Sequence, residues 1–271
     1  MVTDFIFDGK RLSDFGCTVV LFEDMKKGEV DTDSKYTFNH ISLMRGKRQP
    51  FITSVYEDPL EMEFYIAKDA CVLEGDLKTS ELIISPSEMA RIKRWLIRPT
   101  PHDLSVIGDG YNAYYWRGSF ELEEYTFGDG RIGAHLTFEC DAPFGYYKDV
   151  TFTGDIEANE SFVFNCSSDE IGWLYPNTFE ITVNQDGDLE ISNQYDNRIT
   201  KINNCVNGEI IRFDKNLQVS SSIATHKIAN DFNYTFYRIN NSLDSVENSI
   251  ETNLPISFTM TYSPIAKVVI V

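Results

Sequence analysis

The chain has 271 residues and a formal charge of −18, carried as 17 Lys+Arg against 25 Asp+Glu over residues 1–148 and 7 against 17 over residues 149–271. An acidic balance in both halves excludes the basic footprint of a nucleic-acid-binding protein, repels phosphate and anionic lipid, and favours solubility. Five widely spaced cysteines (Cys17, Cys71, Cys140, Cys166, Cys205) contain no CxxC pair, which argues against a zinc or redox motif, and no run approaches the roughly 20 apolar residues that span a bilayer.

The 19 Phe, 14 Tyr and 3 Trp, with abundant Thr, Ile and Val, favour strands over helices. Cysteines such as Cys140 and Cys166 stand among apolar neighbours, two residues after Phe138 and Phe164, so buried, reduced thiols are expected, in keeping with synthesis in a reducing cytoplasm. Met1 to Phe5 lacks the basic and apolar regions of a signal peptide. In chain order, Phe5-Ile6-Phe7 predicts a strand and Asp8-Gly9 a tight turn. Cys17 to Phe22 is a second strand, residues 23–35 an exposed loop, Tyr36 to Gly46 a strand, and Arg45-Gly46-Lys47-Arg48 a basic turn. Residues 60–66 alternate apolar and acidic, as a half-buried strand does.

A helix is predicted over 86–98. Ser85 supplies an N-cap, Pro86 the first helical position and Glu88 the reciprocal cap, while Met89, Ile92 and Leu96 share a face and Pro99 ends it. Strands follow at Tyr111–Phe120, Glu121–Phe127 and Arg131–Cys140, with a turn at Gly128-Asp129-Gly130. Pro143 and Gly145 then close a first domain near residue 148, giving domains 1–148 and 149–271.

The second domain is strands and turns. Phe179, Ile181 and Val183, then Leu189 and Ile191, alternate about Asp186-Gly187 as a hairpin would. Asn207-Gly208 predicts another hairpin between Ile199–Val206 and Glu209–Phe213. Phe232–Ile239 is strand-like, and Ile256, Phe258, Met260 and Tyr262 alternate with polar residues. Strands at this spacing indicate a β-sandwich.

Chemistry is sparse. His40, His102, His135 and His226 form no HxH or HExxH pattern, and neither a Gly-x-Ser-x-Gly elbow, a P-loop nor a dinucleotide fingerprint is present. His135 is expected to be a strand residue. Carboxylate pairs such as Glu123-Glu124 follow from 42 acidic residues by chance, against the two-carboxylate reading of a glycosidase. Asn184 to Asp188 resembles a calcium loop without the closing glutamate. No catalytic, cofactor-binding or metal residue is assigned, no cofactor is expected, and the protein is not read as an enzyme. Trp173 and Tyr175 lie in a turn-like region; packing against the core edge is the simpler role for Trp173, and stacking a sugar the alternative.

Phe5-Ile6-Phe7-Asp8-Gly9, the helix after Ser85-Pro86, and Leu136 to Phe144 ending in Cys140-Asp141-Ala142-Pro143-Phe144 resemble the siphophage distal tail protein family. Tyr234 to Asn240 is similar to that family's aromatic-Arg-Ile-Asn strand, with Tyr237 where a proline is frequent. The resemblance implies a mainly β protein: an N-terminal β-sandwich with one short helix, then a C-terminal galectin-like β-sandwich. It implies a structural hub at the virion tail tip, a homohexameric ring joining the tail tube protein to the tail-tip protein and, in many phages, to receptor-binding or baseplate proteins. Genomic DNA would only pass through the lumen, and no membrane partner is expected. The alternative is a carbohydrate-binding β-sandwich recognising cell-wall glycans, although the His, Arg, Trp and Glu set of true galectins is not evident.

Overall fold

The computed structural model describes residues 2–20, 36–40, 51–56, 58–70, 81–108, 110–127, 130–242 and 245–268. The predicted loop at 23–35, the basic turn at 45–48 and Cys71 lie outside them. The chain divides into two compact units, Met1–Tyr146 with Lys267–Val271, and Tyr147–Ala266.

The first unit contains β1 (Val2–Phe7), β2 (Lys10–Arg11), β3 (Cys17–Val20), β4 (Tyr36–His40), β5 (Phe51–Tyr56), β6 (Glu61–Lys68), α1 (Pro86–Leu96), β7 (His102–Gly108), β8 (Tyr114–Phe127) and β9 (Gly130–Cys140). The strands β2-β1-β7-β8-β9-β6-β3 hydrogen-bond in that order, and β4 pairs with β5 in a separate sheet. The ends of the long sheet meet, since the Thr18 hydroxyl of β3 donates to the Thr3 carbonyl of β1 at 2.9 Å. Opposite strands thereby face each other across an aromatic core. Phe5 of β1 lies 5.6 Å from Phe64 of β6, and Phe7 lies 6.2 Å from Phe138 of β9, centroid to centroid.

Helix α1 begins where the sequence predicts it. Ser85 Oγ accepts from the Glu88 amide and Glu88 returns the bond to the Ser85 amide at 2.7 Å. It ends at Leu96, two residues short of the expected limit, because Ile97 is already extended, as suits a chain approaching Pro99. Its apolar stripe, Met89, Ile92, Trp95 and Leu96, is buried, and Trp95 Nε1 donates to the Phe7 carbonyl at 2.8 Å. The two strands predicted at 111–127 are one, β8, of 14 residues. Near the end of the chain the Val268 carbonyl accepts from Trp116 Nε1 at 3.1 Å, inside the first unit.

β10 (Gly145–Tyr147) spans the boundary after Tyr146, and in the second unit follow β11 (Val150–Ile156), β12 (Ser161–Asn165), β13 (Gly172–Leu174), β14 (Thr178–Val183), β15 (Gly187–Asn193), β16 (Asp196–Cys205), β17 (Ile210–Asp214), β18 (Val219–Ser221), the one-turn α2 (Ile228–Asp231), β19 (Ile239–Asn241), β20 (Glu247–Thr252), β21 (Ile256–Tyr262) and β22 (Ile265–Ala266). Two antiparallel sheets, β11-β21-β14-β17-β18 and β12-β20-β15-β16, enclose one apolar core.

Both predicted hairpins are corrected here. β14 and β15 belong to different sheets, as do β16 and β17, so Asp186-Gly187 and Asn207-Gly208 are arches that carry the chain across the core. The hairpin lies between β15 and β16, which close at Asn193↔Asp196. An arch and a hairpin both flank their turn with inward-alternating strands, so periodicity cannot separate them. The Phe232–Ile239 strand is also corrected: Phe232 makes only an isolated antiparallel bridge to Ile202, the strand itself begins at Ile239, and Tyr234 adopts φ 56 with its ring exposed while Phe232 and Tyr237 enter the core.

Gly118 marks how tightly β8 and β9 are joined, since a Cβ there would stand 2.0 Å from the Glu139 carbonyl oxygen. Gly118→Ala must separate two paired strands. It is expected to cost about 3 kcal/mol, read as a lowered denaturant midpoint with an unchanged slope.

Candidate interaction surfaces

The solvent alternation of β6, expected from the sequence, and that of β8 and β9 produce the first surface. Glu61 pairs in register with Glu139, and Glu63 and Glu121 with Thr137, all on the side of the sheet that faces away from the core. Tyr65 and Glu123 both pair with His135 at the next level. Tyr65 stacks on the His135 ring at 4.5 Å, as befits a strand residue, and exposed Tyr125 lies 5.9 Å from Tyr65. Glu63 and Glu123 approach His135 at 3.7 and 4.0 Å while keeping 61% and 86% of their side-chain surface in solvent. This face is acidic with an aromatic centre.

The opposite side of the same unit is basic. Glu124, on the inward side of β8, pairs with Lys93 of α1 at 2.5 Å and also with Arg131, so α1 and the Glu121/Glu123 row lie on opposite faces of one strand. The outer side of α1 forms a groove of about 380 Å³ lined by Lys10, Phe15, Arg91, Arg94, Trp95 and Arg98. Phe15 stacks on Trp95 at 4.4 Å and Arg91 sits over Phe15 at 5.8 Å. Arg98 is held by Asp8 at 3.1 Å; among the described residues no carboxylate pairs with Arg91, Arg94 or Lys10.

On the second unit, β13 pairs with β19 and sets Trp173 opposite Asn240. Leu174 packs on the core, but Trp173 is 40% exposed and takes the Arg238 guanidinium on one face at 4.0 Å. The expectation that Trp173 packs the core edge is therefore corrected: in a three-residue strand only one side can point inward, and Leu174 takes it. Asp196 grips Arg238 with both oxygens, at 2.6 and 3.0 Å. The Arg238 hydrogen bond draws the Asp196 carboxyl below the usual range. Beneath this rim Asn248, fully buried, bonds the Asn240 amide and carbonyl at 2.6 and 2.9 Å and accepts from Asn193 at 2.7 Å. Asn193, Asn240 and Asn248 match no chemical motif, so nothing in the sequence singles them out.

A buried polar cluster stands near the second arch. Glu209, wholly buried, accepts from the Val206 amide at 3.0 Å and from Ser221 Oγ, and contacts His226 Nδ1 at 2.5 Å. Burial opposes ionisation of Glu209, but these hydrogen bonds outweigh it and hold the carboxyl below the usual range. Serine and histidine both bind the carboxylate rather than each other, so the cluster fastens β17, β18 and the loop before α2 together. It is not a nucleophile–base relay.

The acidic residues of the calcium-like stretch are occupied by backbone. Asp186 accepts from the Asn207 amide at 2.6 Å and Asp188 from the Asn204 amide at 3.0 Å, tying the two arches. Among the described residues no group of three or more His, Cys, Asp or Glu is placed to hold a metal ion, and no helix is long and apolar enough to cross a membrane. Cys17, Cys140, Cys166 and Cys205 are buried free thiols. Burial pushes Cys17 up to about 11 and Cys140 and Cys205 up to about 12.

Two family profiles match the chain, one described as a phage tail protein N-terminal domain over residues 1–142 and one as a phage tail C-terminal domain over residues 144–262. No curated protein matches. Among solved structures the fold is similar to the Dit protein of phage SPP1, described as a paradigm of the hub adsorption apparatus in phages infecting Gram-positive hosts. The likeness has a TM-score of 0.66 at 14% identity and covers 97% of this chain and 99% of that one.

The Asp196–Arg238 pair gives a pH-dependent expectation. A carboxyl depressed in the folded state adds stability above its unfolded pKa of about 4, and that stability is lost as pH falls through the lower folded value. Asp196→Asn is expected to cost about 3 kcal/mol at neutral pH, because it strands a mostly buried guanidinium, and progressively less below pH ~4. Denaturant titrations across that range check the sign, and altered Trp173 emission reports the lost stacking.

Proposed function

Because the chain belongs to the phage tail protein family, a structural component of the virion tail, we propose that it is the hub at the distal end of that tail. Six copies form a ring that continues the tail tube on one side and holds the tail-tip protein on the other, with receptor-binding or baseplate proteins at the periphery. Its role is structural rather than catalytic. The observation that carries this reading is the end-to-end fold likeness to a hub protein: both units correspond, not one widely used sandwich alone.

The physics agrees. A closed ring of identical copies needs head-to-tail contacts between two different surfaces of each copy, and the first unit presents such surfaces on opposite sides. A lumen without excess cations lets DNA pass, since a basic lining would retain it through counterion release. A second reading, glycan recognition, is supported by the outward Trp173 with its Arg238–Asp196 pair, because an aromatic face beside fixed polar groups suits a sugar ring.

Immunogold labelling of virions is expected to place the protein at the distal tip of the tail, and particles of the purified protein are expected at six times the 31.0 kDa chain mass. Label along the tube or on the capsid would overturn the hub reading. The glycan reading is checked separately: cell-wall fragments should quench Trp173, and Trp173→Ala should abolish saturable binding; a flat titration of the unaltered protein removes that reading.

A further inference from the structure

The two charged faces of the first unit fit each other. We infer that the basic outer side of α1 on one copy docks on the acidic outer face of β6, β9 and β8 on the next copy, with a second copy of this chain as the partner. The inference rests on the ring reading and names its contact.

Three observations lead there. First, the faces are opposite in charge although the first half of the chain carries a net −8 from 17 Lys+Arg and 25 Asp+Glu. A cluster of cations that pair with no carboxylate among the described residues is not explained, in such a background, by solubility, which the acidic surface already provides. Arg91 and Arg94 are exposed on α1, and Glu61, Glu63, Glu121, Glu123 and Glu139 are exposed across three neighbouring strands. Two acidic copies repel at long range, but the Debye length of about 8 Å at physiological salt confines that repulsion. At contact, the local pairing of guanidinium with carboxylate decides the orientation.

Second, each face carries aromatic surface at its centre. In the basic groove this surface is the ring of half-buried Phe15, backed by the buried Trp95 and with Arg91 above it; in the acidic face it is Tyr65 and exposed Tyr125 beside His135. Tyr, Trp and Arg are the residues that contribute most to interface cores, and a purely solvating charged surface would not need them. Third, the alternation of β8 puts the two faces on opposite sides of one rigid unit: Glu124 turns inward to Lys93 of α1, while Glu121 and Glu123 turn outward. Surfaces that are complementary, different and opposed propagate head to tail, and a small rotation per copy closes them into a ring.

Charge exchange tests this. Full-length Arg91→Glu/Arg94→Glu reverses the sign at the outer side of α1, and Glu121→Lys/Glu123→Lys reverses it along the β8 row of the acidic face. All four positions are exposed, and circular dichroism and thermal melting check that both variants fold. Light scattering at low salt is expected to show the unaltered protein as an oligomer, each variant alone at the mass of one chain, and an equimolar mixture restored to the oligomer. The mixture must alternate the two variants, and alternation closes in a ring of six. An oligomer that persists in both variants overturns this contact while the ring reading stands. An unaltered protein that stays at 31.0 kDa at high concentration and low salt overturns both. Binding of a double-stranded oligonucleotide that Arg91→Glu/Arg94→Glu removes without changing the mass would assign the groove to phosphate and overturn the copy-to-copy contact.

Discussion

The aromatic core of the first unit fixes where every charged side chain of that unit can stand. Phe5, Phe64, Phe120 and Phe138 occupy the inward positions of four strands, and Trp95 closes over Phe5 and Phe7 from α1. Each side chain of this size contributes several kcal/mol of burial, which outweighs any single surface ion pair. Strand alternation then leaves β6, β8 and β9 one outward row each, and α1 one outward stripe. Charge on those rows cannot migrate inward, so the polarity of the unit follows from the register of its core.

The second unit meets a different constraint. Its strands cross repeatedly between two sheets, and each crossing exposes backbone groups that a two-residue hairpin would pair within one ladder. Side chains and neighbouring arches supply the missing partners. The Gly208 amide donates to the Val183 carbonyl at 2.7 Å, the Asn184 amide to the Pro255 carbonyl at 2.9 Å, and the Glu190 amide to Asn253 Oδ1 at 2.7 Å. At the other end, Asn248, Asn193 and Asn241 satisfy the irregular backbone around β19, which fixes the segment that carries Arg238. The exposed aromatic–guanidinium rim therefore stands on a buried amide network, and a group held that rigidly keeps its geometry whichever partner it meets.

Much of this was legible in the sequence, for identifiable reasons. The β character, the helix start at Ser85-Pro86 and the strand of Glu61-Met62-Glu63-Phe64 depend on local periodicity and capping, which short segments carry complete. The arches were not legible, because Asp-Gly and Asn-Gly favour positive φ in any tight reversal and do not state which strand the returning segment pairs with. Gly187 and Gly208, at φ 152 and 81, satisfy that local demand in a cross-sheet connection as well as they would in a hairpin. Trp173 was misplaced because a three-residue strand is too short to show a phase, so its inward side was fixed only by Leu174 meeting the core. The opposed charged faces escaped notice because they are assembled from α1, β6, β8 and β9, whose charges look interspersed when read along the chain.

That last point bears on how an acidic protein can assemble at all. A net charge of −18 sets a long-range repulsion that keeps free copies apart and discourages indiscriminate association. Specific contact then requires the opposite sign locally. Arg91 and Arg94 meet that condition because the nearby acidic groups are engaged elsewhere: Glu124 by Lys93 and Arg131, Glu88 by the Ser85 cap and Lys68, and Asp8 by Arg98 and His102. Neutralising those carboxylates within the unit leaves the α1 guanidinium groups free to act outward. The same pairs that hold the helix in place thus also define its exposed surface, and stability and recognition in this unit come from one arrangement of charge.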